Sequence, residues 1–594
     1  MKNFTTIFPL LFFLLFLNLP SYAADIDSVV SEQNRVIQNQ QQFEQDNQRK
    51  TELQNTEVER KDEAMEGKMI GKAPVDKDLS KRCFPVTKIT FTKNKILSKT
   101  EENFLTQNIV GECLAPKEID QLVKKISDHL VDKEYVTSKA AILHKDDFTG
   151  ELVIEIVEGK LEDLIFNNDT FFDKAQKFSA FGLIKKQEIL NLHEVLKGLD
   201  QINRLPSNSA SVKMLSGSAP NSSIIAVQNN PKNTLRTNFS FDDLGSETTG
   251  KRRDTIGLSY DNLLHLNDNL NISRSANDFS HKKEQGNNNS INLGFSVPFK
   301  GNLLTLSHTR YAYSLIQGNA TNFKASGQSI TSSATLESVL FKRKKYRLKS
   351  QFSLTTRDIV NVINDQKVES SSRKATVATL AFPNKFFFEK GAMLLKPSYV
   401  RGLKALGARK DSGDISDQSA HSQFQMLKFY ANYSQQLEMP VLKVPFSYAL
   451  SLDSQLAQQR LYSSDQFFVG GAYTVRGFEG GSIGGDAGYL VKNEVGFNVG
   501  KVLVPLLPKQ YSSAFASLYN FSITPFYDYG YIKMHGINQG GRLSGGGFKT
   551  SFSHKNLVAN LTMAWVANKS VLLQNHYREN QAVYFDVTTN FGFF

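Results

Sequence analysis

Apolar residues are spread unevenly along the chain, and the changes in their spacing mark its parts. Phe8 to Leu19 is the one long apolar run. Lys2 precedes it and the small-x-small triplet Ser21-Tyr22-Ala23 follows. This predicts a secretory signal peptide over residues 1–23, cut after Ala23. A membrane-spanning helix needs about 20 apolar residues, so the run is too short for one. Residues 24–49 are rich in Gln, Asn, Glu and Asp, with Ile26, Val29, Val30, Val36, Ile37 and Phe43 at near-helical spacing. A helix with so thin an apolar stripe needs a wet or polar partner surface. Residues 50–81 are charged, lack aromatics and carry Pro74, which predicts a linker.

From residue 82 the pattern changes. Val86, Ile89 and Phe91 predict a strand, Glu101 to Val110 a short helix, and Pro116 opens a longer one with Ile119, Leu122, Ile126 and Leu130 at steps of three and four. Tyr135 to Leu143 and Glu151 to Val157 predict two further strands. The same order then recurs. Leu161 to Phe166 predicts a strand, Phe171 to Phe178 and Lys185 to Ile202 predict helices, and Ser209 to Met214 and Ser222 to Gln228 predict strands. Residues 82–158 and 159–235 are therefore read as two copies of one small α+β unit.

Beyond residue 236 the helical period gives way to alternation. Ile291, Leu293, Phe295, Val297 and Phe299 interleave with Asn292, Gly294, Ser296 and Pro298. Tyr489, Val491, Val495, Phe497 and Val499 share one parity, as do Phe585, Val587, Phe591 and Phe593. Asn, Gly, Ser and Asp clusters between these stretches suit turns. A soluble sandwich would alternate too, but seldom over so long a stretch. A membrane barrel turns its apolar face to lipid and its polar face to a wet lumen. At about 20–22 residues per strand and loop, residues 236–594 hold roughly 16–18 strands.

Composition narrows the partners. Lys+Arg number 70 against Asp+Glu 58, a net charge of +12. The basic residues are scattered, with no tract or finger signature, and an exported chain rarely meets nucleic acid, so they predict solvated surface or a polar lumen. Cys83 and Cys113 are the only cysteines. In an oxidising compartment they predict a disulfide, worth roughly 3–4 kcal/mol by chain entropy. A metal pair is the weaker rival, because no His or carboxylate stands at ligand spacing beside either Cys. No metal cluster and no phosphate-binding loop is seen, so no cofactor is expected.

The candidate chemistry lies late in the chain. Within Gly470-Gly471-Ala472-Tyr473-Thr474-Val475-Arg476-Gly477-Phe478, a Gly-rich loop delivers one Arg between apolar neighbours, and Gly477 permits a tight turn. In Phe526-Tyr527-Asp528-Tyr529-Gly530 the parity of Ile523, Tyr527, Tyr529 and Tyr531 puts Asp528 on the opposite, luminal face; the same argument turns Lys492 and Glu494 inward. An Arg folded into a barrel needs a carboxylate. Asp528 is the first candidate and Glu494 the second. The plainer alternative is an exposed Arg476 and an Asp528 facing bulk water.

The pair Val475-Arg476-Gly477-Phe478 and Asp528-x-Gly530 resembles the lid loop and partner strand of the BamA-like outer-membrane superfamily. Within it the chain resembles the two-partner secretion transporters, the TpsB family of haemolysin and haemagglutinin activators. Arg82-Cys83-Phe84-Pro85-Val86 with Cys113-Leu114, and Asn203-Arg204-Leu205-Pro206-Ser207, are similar to that family's two POTRA signatures. Ser259-Tyr260-Asp261-Asn262 with Leu266-Asn267-Asp268 is similar to its first barrel hairpin. The resemblance implies a 16-stranded antiparallel outer-membrane β-barrel preceded by two α+β POTRA domains and an N-terminal plug helix, with a lid loop around residues 470–488; Asp528 and Gly530 of the matched strand, with Glu494 from the parity argument, are the expected luminal partners of Arg476. It further implies a Gram-negative outer-membrane location with POTRA domains in the periplasm. The implied partners are an unfolded exoprotein of the TpsA type, lipid and lipopolysaccharide, and the barrel assembly machinery for insertion; a monomer is expected.

Gly480-Gly481-Ser482-Ile483-Gly484 matches G-x-S-x-G, but that motif needs a strand-to-helix elbow with His and acid partners. Alternation from Leu490 predicts a strand instead, so no enzyme is expected. An assembly factor inserting other barrels would share Arg476 and Asp528 but typically carries more POTRA units, and a porin would carry none. The cargo, whether haemolysin, adhesin, haem scavenger or contact-dependent toxin, is not encoded in this chain.

Overall fold

The computed structural model describes residues 19–66, 83–143, 150–182, 184–246, 248–277, 286–317, 323–343, 345–439, 444–504, 508, 515–536, 539–574 and 580–593. The first 18 residues of the expected signal peptide lie outside these. Leu19–Glu66 is a single helix, so residues 50–66 of the expected linker are helical instead. Residues 50–66 contain neither Pro nor Gly and are dominated by Glu, Lys, Arg, Gln and other good helix formers; charge alone did not break the helix. Residues 67–82, with the rest of that linker and Pro74, lie outside the described residues.

The two α+β units share one topology. In the first, Lys88–Thr92 runs parallel to Glu151–Val157, which is antiparallel to Lys139–Ile142. In the second, Lys160–Phe166, Ser222–Gln228 and Ser211–Ser216 repeat the arrangement. Each sheet is backed by two helices, Lys99–Thr106 with Pro116–Asp132, and Phe171–Phe181 with Leu192–Asn203. Each unit has its own core, with Ile126, Leu130 and Ile154 at the centre of one and Phe166, Val195 and Ile202 at the centre of the other. Cys83 and Cys113 are disulfide-bonded, clamping the short pair Phe84–Pro85 and Cys113–Leu114.

Two helices differ from expectation. The first ends at Thr106, before left-handed Asn108 and Gly111. The helix expected from Lys185 starts at Leu192: Gln187 sits in a left-handed turn (φ +65°) and donates its backbone N–H to Leu161 O (2.7 Å), and Asn191 then caps the helix through His193 N (2.9 Å). The strand expected from Tyr135 is shortened to Lys139–Ile142, because Tyr135 closes the preceding helix with a bond to Leu130 O.

Leu235 to Phe593 forms a closed antiparallel barrel. Counting Arg373–Ala381 and Asn384–Phe388 as one strand interrupted at Phe382-Pro383, and setting aside the two-residue Gln366–Lys367 that only extends a hairpin tip, it has 16 strands. The first strand, Leu235–Asp242, claims Leu235 from the second α+β unit and pairs with the last, Gln581–Phe593. The outer surface is an apolar belt that can be followed across neighbouring strands: Phe352 opposite Leu380, Leu380 opposite Tyr399, Tyr399 opposite Leu427, Leu427 opposite Leu456. These side chains are 39–60% exposed. A continuous ring of exposed apolar residues on a closed sheet is what acyl chains solvate. Val499 leaves the alternation and opens a short helix, Val499–Leu503.

The second α+β unit is fixed to one rim of the barrel by the segments singled out in the sequence. Arg204 donates to Ser296 Oγ (2.9 Å) and Asn267 O (2.8 Å), and Ser207 N donates to Asp261 Oδ2 (3.1 Å). Burial pulls the Arg204 guanidinium down to about 10, against the pull of Asp261, so it stays charged at neutral pH.

Candidate functional site

The lumen is filled by two inserts. One is the chain between strands Pro445–Ala457 and Ala487–Asn498, which folds back inside the barrel as a hairpin, Phe467–Val469 against Ile483–Gly485. The lid loop expected at 470–488 thus begins just after one strand of this ladder, contains the other, and gives its last two residues to the barrel strand. Ile483–Gly485 is extended, so no helix follows Ser482 as a nucleophile elbow would require. Gly470, Gly471 and Gly477 have φ of +108°, +108° and +105°, which lets the loop turn twice in a narrow space.

Val475 and Phe478 are fully buried and pack with Val469, Leu490, Ile532 and Leu543 of the loop and wall. Between them Arg476 reaches the wall. Its Nε and Nη2 donate to Asp528 Oδ2 and Oδ1, both at 2.7 Å, and its backbone N–H donates to the same Oδ2 at 3.1 Å. Nη1 meets Glu494 Oε1 at 2.8 Å. The guanidinium also lies 3.4 Å from the centroid of the Phe526 ring. Asp528 is completely buried and Glu494 keeps some exposure. A bidentate, fully enclosed pair of this kind leaves a costly orphan charge if either side is removed.

Gly530 plays a different part from the one expected. It is not a polar partner of Arg476. A Cβ there would meet Val469 Cγ1 at 2.7 Å and Val475 Cγ2 at 3.0 Å, so it makes room for the loop's apolar side chains. Several residues went unread in the sequence. Gly545 lies at a β-bulge, and a Cβ on it would sit 2.0 Å from Arg476 O. Asp486 ties the loop's base by accepting from Leu461 N and His535 N, each at 2.7 Å. Asp465 accepts from Arg357 (3.2 Å) and pairs with Arg373. The triplet Gly545-Gly546-Gly547 in a strand was a legible sign of close backbone approach. The two aspartates carried no local signal, because their partners are far away in sequence.

The second insert is the N-terminal helix. Val29, Val36 and Ile37 pack on Tyr311, Leu315 and Ile359, so its apolar stripe does find a dry patch of wall. Its other contacts are polar. Gln33 Nε2 donates to Ser326 O and Val362 O (3.1 Å each), Gln40 donates to Ser290 Oγ (3.3 Å), Arg49 pairs with Asp453, and Glu52 accepts from Lys396 (3.2 Å). Helix and loop also touch: Arg35 bonds Gly480 O, and the Phe43 ring lies 3.7 Å from the Arg253 guanidinium, which donates to Tyr473 Oη at 2.6 Å.

A lipid-belted barrel with two α+β modules at one rim and a lumen plugged by helix and loop defines a class, the POTRA-bearing transporters of the outer membrane. Comparison with known proteins narrows it. The family model for the haemolysin secretion/activation proteins ShlB/FhaC/HecB matches residues 221–552, a ShlB-type POTRA model matches 84–159 and a second POTRA model matches 160–215. The chain is 29% identical over 433 residues to the outer membrane transporter CdiB of Dickeya dadantii, covering 72% of this chain and 75% of that protein. It is 25% identical over 452 residues to the hemolysin transporter protein ShlB of Serratia marcescens, covering 74% and 78%. Its fold matches that of CdiB from Escherichia coli with a TM-score of 0.77 and 21% identity, over 94% of this chain and 98% of that one. The chain belongs to the ShlB/FhaC/HecB family. It is an outer-membrane transporter of two-partner secretion, with its POTRA domains in the periplasm, and this decides against the assembly-factor alternative.

Proposed function

We propose that the helix is the movable plug of this transporter and the Arg476 loop its fixed lid. One observation carries the reading: along its second half the helix is held by partly exposed ion pairs that water can replace, beside a loop pinned by a dry, enclosed ion pair. When the exoprotein engages, the helix withdraws and frees the bore, while the loop stays on the wall and forms part of the conducting surface. The exoprotein is captured as an extended strand. Ser211–Ser216 offers a suitable edge, since among the described residues it pairs only with Ser222–Gln228, and Met214 and Leu215 are 41% and 49% exposed. Folding of the cargo outside the cell makes export one-way. Lipid and lipopolysaccharide surround the belt, the barrel assembly machinery inserts it, and it works as a monomer.

Planar-bilayer recording tests the plug. Deletion of residues 25–49 should convert brief openings into a sustained open channel; conductance at the intact level would end the assignment. A photo-crosslinking residue at Met214 should trap the exoprotein during export, and capture at Phe104 of the first domain with none at Met214 would move the docking edge elsewhere.

A further inference from the structure

The helix Phe171–Phe181 of the second POTRA domain has an apolar side that its own domain leaves unused. Ala180 and Phe181 enter the domain core, whereas Phe171, Phe172 and Phe178 are 80%, 53% and 55% exposed. The helix is not free in the periplasm. Asn267 Nδ2 donates to Gln176 O (2.9 Å) and Ser179 Oγ (2.7 Å), which ties it to the first barrel hairpin. The Phe178 ring meets Phe299 edge-on at 6.5 Å, and the Phe172 ring lies 4.1 Å from that of His265.

Phe299 fixes which side of the barrel this is. It shares parity with Ile291 and Leu293, which are 43% exposed on the outer face, and is itself 53% exposed. The helix therefore lies outside the bore, under the lipid-facing surface. Leu263 and Leu264 at the tip of the same hairpin add exposures of 45% and 55%. Lys300 stands over the Phe299 ring at 5.3 Å, and Lys174 is 61% exposed, with Asp169 at 3.7 Å. Phenyl rings continuous with an acyl-chain belt and edged by lysines match the headgroup boundary of a bilayer, where aromatic bodies sit in the apolar layer and ammonium groups meet phosphates.

We propose that Phe171–Phe181 is an interfacial anchor that embeds Phe171, Phe172 and Phe178 in the periplasmic phospholipid leaflet. Continuity with the lipid-facing wall favours phospholipid over a protein partner, because the bilayer already begins at Phe299. The anchor holds the second POTRA domain flat against the membrane and so fixes how far its free strand edge lies from the mouth of the bore.

The chain's single tryptophan, Trp565, lies in the outer belt at 45% exposure and gives a built-in standard. The full chain carrying Trp565→Phe and Phe171→Trp is reconstituted in phosphatidylethanolamine–phosphatidylglycerol vesicles with bromines on the acyl chains near the headgroup. Its emission should be quenched as strongly as that of native Trp565 and shielded from aqueous iodide. Phe104→Trp in the same background, at a site 60% exposed on the first POTRA domain, should stay unquenched and open to iodide. Phe178→Trp repeats the test if the first variant assembles poorly. Emission at position 171 that behaves like position 104, or that becomes shielded only when exoprotein is added, would overturn the anchor.

Discussion

The two inserts in the bore are held by opposite physics. The loop is dry: Val475, Phe478 and Asp528 are wholly buried, and Arg476 has carboxylates on two sides. The helix is mostly wet: beyond Val29, Val36 and Ile37 its grip is a series of amides and ion pairs along a polar wall. Breaking the loop's anchor strands a charge in a place that water does not reach, which costs several kcal/mol. Breaking one of the partly exposed helix pairs, Arg49–Asp453 or Lys396–Glu52, exchanges it for hydrogen bonds to water at small net cost. Opening one insert while keeping the other, as proposed above, would call for this asymmetry.

The sharpest way to break the contrast is Arg476→Ala. It leaves Asp528 unpaired and should cost about 3–5 kcal/mol, loosening the loop and lowering secretion. Exoprotein in the culture supernatant, at normal barrel abundance, reads it out; unchanged secretion would remove the lid role. Arg49→Ala should be milder, at about 1.5 kcal/mol, and should act on the helix alone. The fraction of time a single channel is open should rise, while protease sensitivity of the loop stays at the native level. Glu494→Gln keeps the bidentate Asp528 contact, so about 1 kcal/mol is expected; secretion equal to that of Arg476→Ala would mean the two carboxylates share the load evenly. Salt should separate the inserts most gently. Raising it from 0.1 to 1 M shortens the screening length from about 10 to about 3 Å, which weakens the Arg49–Asp453 and Lys396–Glu52 pairs and not the enclosed pair at Arg476. The open fraction should therefore climb with salt; a flat response would show that the helix is held by its few apolar contacts instead.

Alternation makes much of this legible in the sequence. Parity alone turned Asp528 and Glu494 inward, because in a strand a residue's face follows from its neighbours'. Gly530 was misread, since an x-Asp-x-Gly pattern cannot say whether the Gly serves the charge or the space beside it. Asp486 and Asp465 were invisible, because a loop that folds back into a lumen makes its bonds to strands far away in sequence. The start of the helix is legible in its thin apolar stripe, but its end is not, because the charges of residues 50–66 resemble a linker while the absence of Pro and Gly there lets the helix run on.

The barrel seam carries one last consequence. Leu235–Asp242 bonds to Gln581–Phe593, and Phe585 N donates to Asp243 across 342 positions. The earliest and latest barrel strands to be synthesised are thus side-by-side neighbours. No partial translation product can be a sealed tube, and the entropy of bringing such distant ends together falls on the last step. The unfinished chain must be sheltered, with two raw strand edges showing, until its final residues arrive.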